Sequence, residues 1–314
     1  MGARSLIVLD VGLGLPVAGL SFKEVIANGQ ILSLDLDQLS LKSVQNSQPN
    51  ITLPDGVVYS RTQKKLFVTN MGIPSQNDGS IISMNLNGSE CQTIIAPGHI
   101  HTPKQLAIDE VNNKLYYADR EGMRIMRSNI DGTGLEILHR SGTGLEVQDQ
   151  RNWCVGIAVS PQLATVYWTQ KGPSKGGQGR IFCARINGTT TLDPTCLLEG
   201  LPEPIDLHID HDTNALYWTD RGELPYGNTF NRVQLDRSGT ALAKKTPDAR
   251  TGLLHEILTQ NLDEAIGLSR DEEARRWYIS DMGGTIWSMD ENGRDKKVVY
   301  QDKERAFTGI AFVA

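Results

Sequence analysis

The stretch LYWTD, residues 216–220, sets two aromatic residues in a short apolar run that stops at an acid, and it has sisters along the chain. LIVLD (6–10), LFVTN (66–70), LYYAD (115–119), VYWTQ (166–170) and WYISD (277–281) align with it, making six copies. Their central positions, Val8, Val68, Tyr117, Trp168, Trp218 and Ile279, follow one another at 60, 49, 51, 50 and 61 residues. That period belongs to the blades of a β-propeller; the units of a solenoid are shorter.

Twelve residues before the centre of five copies lies a second apolar segment: GVVYS from Gly56, QLAID from Gln105, GIAVS from Gly156, DLHID from Asp206 and GLSRD from Gly267. After each comes a third segment with a tight polar turn, as in IISMNLNG (81–88), IMRSNIDG (125–132), IFCARING (181–188), RVQLDRSG (232–239) and IWSMDENG (286–293). Asn-Gly and Asp-Gly mark hairpins here, because glycine supplies the positive φ that the turn needs. A fourth segment, such as QTIIA or KVVYQ, completes a four-stranded antiparallel meander. The first copy lacks an inner strand, and FTGIAFVA (307–314) matches the inner-strand template. The expectation is an all-β, six-bladed β-propeller in one domain, residues 1–314, with the C-terminal strand 307–314 completing the first blade and closing the ring. The opening MGARSLIVLDVGLGLPVAG has the look of a signal peptide. Asp10 interrupts it, however, and LIVLD is needed as a strand, so any leader would lie upstream.

Net charge is -6, with no run of five like charges, so no nucleic-acid footprint is visible. No stretch approaches the roughly 18 apolar residues of a membrane-spanning helix. The chain is expected to be soluble, with small molecules or proteins as partners. Its compartment is the secretory pathway if a leader has been removed and the cytoplasm otherwise. Cys91, Cys154, Cys183 and Cys196 form no CxxC pair. Cys183 and Cys196, on adjacent predicted strands, are the candidate disulfide if there is one. Sequons begin at Asn50, Asn87 and Asn187.

The acid of the opening stretch belongs to a sixfold column, Asp10, Asn70, Asp119, Gln170, Asp220 and Asp281. A residue repeated in every blade serves the architecture, by capping backbone amides at strand ends. Function is therefore sought where the repeats disagree. The loops 11–30, 71–80, 171–180 and 221–231 are expected to wall a trough at the channel mouth, since variable loops on a rigid scaffold carry specificity. Unique polar or aromatic groups nearby are His101, Arg151, Trp153, Asp206, Arg221, Tyr226, Glu264, Arg305 and Phe307. His101, Asp206 and Glu264 are the candidates for proton transfer. Arg151, Arg221 and Arg305 would hold ligand oxygens by charged hydrogen bonds, and Trp153, Tyr226 and Phe307 would pack hydrocarbon. Asp55, Asn152, Asp206 and Glu264 carry oxygen donors of the type that suits calcium. They are scattered in sequence, and neither a metal nor a cofactor is expected. There is no G-x-S-x-G elbow, P-loop, Rossmann fingerprint or haem motif.

The repeats LYWTD, VYWTQ and LYYAD, with the turns NIDG, NLNG and RING, resemble the YWTD six-bladed propeller of low-density-lipoprotein receptors over essentially the whole chain. Its stand-alone format is similar to fungal YWTD-type proteins of secondary-metabolite clusters, some of which are hetero-Diels–Alderases. These join a tropolone-derived quinone methide to a humulene-type terpene. That resemblance implies a cofactor-free pericyclase whose partners are small apolar molecules, a terpene and a tropolone-like one. Two other readings stay open: a metal-dependent lactonase of gluconolactonase type, and a protein-binding propeller without enzymatic activity. Oligomeric state is left open.

Overall fold

The computed structural model describes residues 4–14, 19–44 and 51–314. Part of the 11–30 loop and the Asn50 sequon lie outside the described residues. The chain divides into two compact units, Met1–Leu106 with Ile266–Ala314, and Ala107–Ala265.

The strands form six antiparallel sheets, each a four-stranded meander. In the first unit, Phe307–Val313, Ser5–Asp10, Gln30–Asp35 and Ser40–Ser43 make one sheet. Pro54–Ser60, Lys65–Asn70, Gly79–Asn85 and Gln92–Ile100 make a second. Ala265–Asp271, Arg276–Asp281, Thr285–Asp290 and Lys297–Gln301 make a third. The second unit holds Cys154–Ser160, Thr165–Gln170, Gly179–Asn187 and Thr195–Leu201, with the two-residue Thr190–Thr191 attached. It also holds Pro204–Asp210, Ala215–Asp220, Thr229–Gln234 and Glu256–Thr259. The remaining sheet starts with Pro103–Asp109, whose residues are divided between the two units, and continues through Lys114–Asp119, Arg124–Asn129 and Glu136–Arg140. The terminal strand pairs as expected: Ser5 lies opposite Val313, Leu6 opposite Phe312 and Val8 opposite Ile310.

The repeated pentapeptide now has a physical account, position by position. Its aromatic pair is core: Tyr167, Trp168 and Trp218 are fully or almost fully buried. Such side chains bring the largest apolar area a strand position can carry. The next residue, threonine in three of the six copies, ties neighbouring sheets together. Thr169 Oγ1 accepts from Gly156 N at 2.7 Å and donates to Ile205 O, on the next sheet's inner strand, at 2.8 Å. Thr69 repeats this with Gly56 N and Lys104 O, both at 2.8 Å. The glycine in this arrangement is required by space, since a Cβ on Gly156 would stand 1.9 Å from Ile205 O. Three inner strands are bulged here, with register shifts at Cys154/Ile157, Pro204/Leu207 and Pro54/Val57. The bulge frees the amide that the threonine then accepts from.

The polar residue that ends the pentapeptide caps loop groups. Asp220 Oδ1 accepts from Glu203 N at 3.0 Å and Gly222 N at 2.9 Å. Asp10 takes Gly12 N, and Asp281 takes Thr285 N, both at 2.9 Å. Asp119 instead takes Arg124 Nε at 2.8 Å, and Gln170 takes Arg180 at 2.6 Å.

Two expectations need correction. All four cysteines are free. In the paired strands Cys183 lies opposite Thr195 while Cys196 lies opposite Phe182, so the two thiols fall on opposite faces of the sheet. Phe307 opens the C-terminal strand as expected, but the ligand-packing role expected of it fails: the side chain is wholly buried in a cluster with Leu6, Val8 and Ile310 and offers no surface.

Candidate functional site

The position directly after the pentapeptide reads Val11, Met71, Arg120, Lys171, Arg221 and Met282 along the chain. In the first unit its apolar members share one cluster, where Val11 and Met71 are joined by Ile26, Leu53, Ala306 and the half-buried Met282. The second unit carries the three cations, and they converge.

Trp153 is the centre of that cationic group. Its indole Nε1 donates to Val147 O at 2.7 Å, which fixes the ring against the 3-10 turn Gly144–Gln148. Arg120 Cζ stands 5.0 Å from the ring centroid and Lys171 Nζ 6.0 Å, both within cation–π range. Arg120 is oriented by Glu121, whose two oxygens each accept from Nε at 2.8 Å. Lys171 donates to Glu203 Oε1 at 2.8 Å, and Arg221 reaches the same oxygen through Nε at 2.9 Å. The second oxygen, Oε2, accepts from Lys175 N at 2.9 Å.

Glu203 is therefore a fully buried hub with two cations on one oxygen and a backbone amide on the other. Burial alone would raise its pKa, but Arg221 and Lys171 outweigh burial and hold it below the usual glutamate value. Lys171 is shifted down, chiefly by burial, against the pull of Glu203. Beneath the hub, Asp220 is buried with Oδ2 lacking a hydrogen-bond partner among the described residues. Burial and the neighbouring Glu203 charge push its carboxyl up to about 7, against the two amides on Oδ1.

Of the residues singled out from sequence, Trp153 and Arg221 enter this group. Glu264 stands at its edge, 3.6 Å from Lys175, which also pairs with Glu223 at 2.8 Å. Arg151 is exposed and pairs with Asp149 at 2.6 Å, two residues away. Asp206 is buried in an inner strand, where its Oδ1 accepts from Leu207 N at 2.9 Å. Tyr226 is exposed in the 221–231 loop. In the first unit, His101 Nδ1 bonds Thr102 Oγ1 at 2.9 Å, and Arg305 pairs with Asp10 at 2.7 Å. Asp55, one of the candidate calcium donors, is taken up by Lys104 and Gln105. Among the described residues no three His, Cys, Asp or Glu are grouped to hold a metal ion. Arg120 and Lys171 went unremarked in the sequence, although the column after the repeated acid displays them.

No protein-family model matches the sequence. A curated relative, the low-density lipoprotein receptor-related protein 1 of Pyricularia oryzae, is 39% identical over 295 residues, covering 91% of this chain and 93% of that protein. The chain belongs to the family of that protein. A second member, the 3-hydroxyacyl-CoA dehydrogenase-like protein LAM1 of Cochliobolus heterostrophus, is 43% identical over 97% of this chain, which spans 63% of LAM1's length. Among solved structures, a chain of a nidogen/laminin complex superposes with a TM-score of 0.71 at 17% identity, covering 99% of this chain and 98% of that one. A gluconolactonase from Xanthomonas campestris follows the fold with a TM-score of 0.60 at 13% identity over 90% of this chain and 83% of its own. The family fold is thus the YWTD six-bladed β-propeller, and among the described residues no helix is long and apolar enough to cross a membrane.

Proposed function

We propose that this family member is a cofactor-free enzyme of secondary metabolism, a pericyclase that joins a tropolone-derived quinone methide to a terpene alkene. One observation carries the reading: two cations flank the Trp153 ring, and a third, Arg221, is held to the same buried glutamate as Lys171. A planar ring stacks on the indole, and its carbonyl oxygen takes charged hydrogen bonds from the guanidinium and ammonium groups. These bonds draw electron density from the oxadiene and make it a better acceptor for the alkene. In the cycloaddition one C–O and one C–C bond form while three π bonds become one, so nothing is released and no co-reactant is needed. Holding both partners together supplies the rest of the acceleration, by removing the entropy cost of encounter. We assign Glu264 to the proton transfers that accompany loss of water from a hydroxymethyl precursor, because it is half-exposed beside Lys175.

The test is incubation of the full chain with a hydroxymethyl tropolone and humulene, followed by chiral chromatography and mass spectrometry. The expected product has the summed mass less one water, in enantiomeric excess. Arg221→Gln and Trp153→Leu should each lower its rate by about tenfold or more, the scale of one lost charged contact. Product that is racemic and no faster than without protein would sink the proposal, as would full activity in both variants.

A further inference from the structure

The hairpin between Thr229–Gln234 and Glu256–Thr259 is the exception among the sheets, since residues 235–255 replace the short turn seen elsewhere, such as 36–39 or 291–296. This insertion is a built element. Leu235 bridges to Leu242, and both are buried against Leu197, Leu198 and Leu201 of the preceding sheet. Asp248 closes its far end by accepting from Arg250 N at 2.9 Å and Thr251 N at 3.0 Å.

Between the insertion and the strand Thr195–Leu201 lies a cavity of about 380 Å³. Leu198, Leu254 and Pro202 give it apolar walls, and His255 and Tyr226 supply hydrogen-bonding groups. None of the charged groups around Trp153 borders it. Its size falls at the small end of the roughly 300–1,000 Å³ that ligand pockets span.

Charge narrows the ligand. The insertion bears Arg237, Lys244, Lys245 and Arg250, yet none of the four lines the cavity, where Glu199 is the one charged residue. His255 packs edge-on against Trp218 at 4.9 Å, and burial pushes its imidazole down to about 4, so it is neutral at physiological pH. An anion would find a carboxylate and no cation. We infer that this cavity is a second binding site, for a neutral, mostly apolar molecule of the size of a substituted naphthalene, oriented by one hydrogen bond to His255 or Tyr226.

The experiment titrates the full chain with the neutral fluorophore 6-propionyl-2-dimethylaminonaphthalene and, in parallel, with anionic 1-anilinonaphthalene-8-sulfonate. The neutral probe should bind saturably at one site. The anionic probe should bind about tenfold more weakly or worse, a difference that one unpaired charge readily produces. Leu254→Trp, which fills the cavity, should abolish neutral-probe binding. Should that variant fail to fold, Leu253→Trp on the same wall replaces it. Absent binding, binding unchanged in a folded filling variant or equal affinity for the anion would each overturn the inference. So would a dimer in sedimentation that the probe dissociates, since the occupant would then be a second copy of the chain.

Discussion

Exchanging Thr169 for valine keeps the side-chain volume and deletes one hydroxyl, whose two partners are backbone groups on different sheets. Gly156 N, at a bulge, would lose its 2.7 Å acceptor, and Ile205 O its 2.8 Å donor. Each buried group left unpaired costs about 1–3 kcal/mol, and the added methyl returns about 0.8, so the loss should be about 3 kcal/mol. With an unfolding entropy of about 2.1 cal/mol/K per residue, that lowers Tm by about 5 °C if all 314 residues melt together. The shift becomes about 9 °C if the 107–265 unit melts alone. Calorimetry reads both the shift and the size of the cooperative unit. Thr169→Ser, which keeps the hydroxyl, should recover most of the loss. A valine variant within about 0.5 kcal/mol of the parent, the spread of innocuous surface changes, would refute the claim that this hydroxyl fastens the sheets. A serine variant as damaged as the valine one would refute it equally.

Deleting Phe307–Val313 should unfold the first unit, since Phe307 is fully buried and the strand supplies the inner edge of its sheet; loss of protease resistance would show this. Asp220→Asn tests the buried carboxyl. Its folded pKa, about 7, lies above the unfolded value of about 3.8, so the native state holds the extra proton and the parent should lose stability as pH rises between these values. Denaturant melts at several pH values should show that slope reduced in the variant. Glu203 works in the opposite sense: its lowered pKa contributes stability above the ordinary glutamate range and loses it on acidification. Alkylation without reductant in denaturant should modify all four cysteines, whereas in the native protein Cys154 and Cys183 should resist, being buried.

The sheets were legible because a sixfold alignment averages out the irregularity of any one copy. The C-terminal strand was legible for the same reason, as a template without a partner. Threonine was missed because, beside two aromatics, it reads as an ordinary strand former, and its inter-sheet bonds are invisible without the glycine bulge opposite. Phe307 reads as a ligand contact because it opens the inner strand two residues after Arg305, whereas that strand is buried on both faces. Arg120, Lys171 and Arg221 stand in one alignment column, yet cations at a strand end also suit solvent, and what links them is the Trp153 ring under Arg120 and Lys171 together with the Glu203 carboxylate shared by Lys171 and Arg221. The 235–255 insertion showed as the 61-residue spacing between Trp218 and Ile279, without a hint that it would fold against the preceding sheet.

The pairing of Ser5–Asp10 with Phe307–Val313 bears on how the protein is made. On the ribosome the first of these strands emerges before the second, and its inner edge waits for roughly 300 further residues before its partner exists. At about 5–20 residues per second that is some 15–60 seconds with an apolar, unpaired strand edge on offer to other nascent chains. Its neighbours Leu6, Val8 and Leu9, all fully buried at the end, are the segment a holding chaperone would be expected to cover in the meantime.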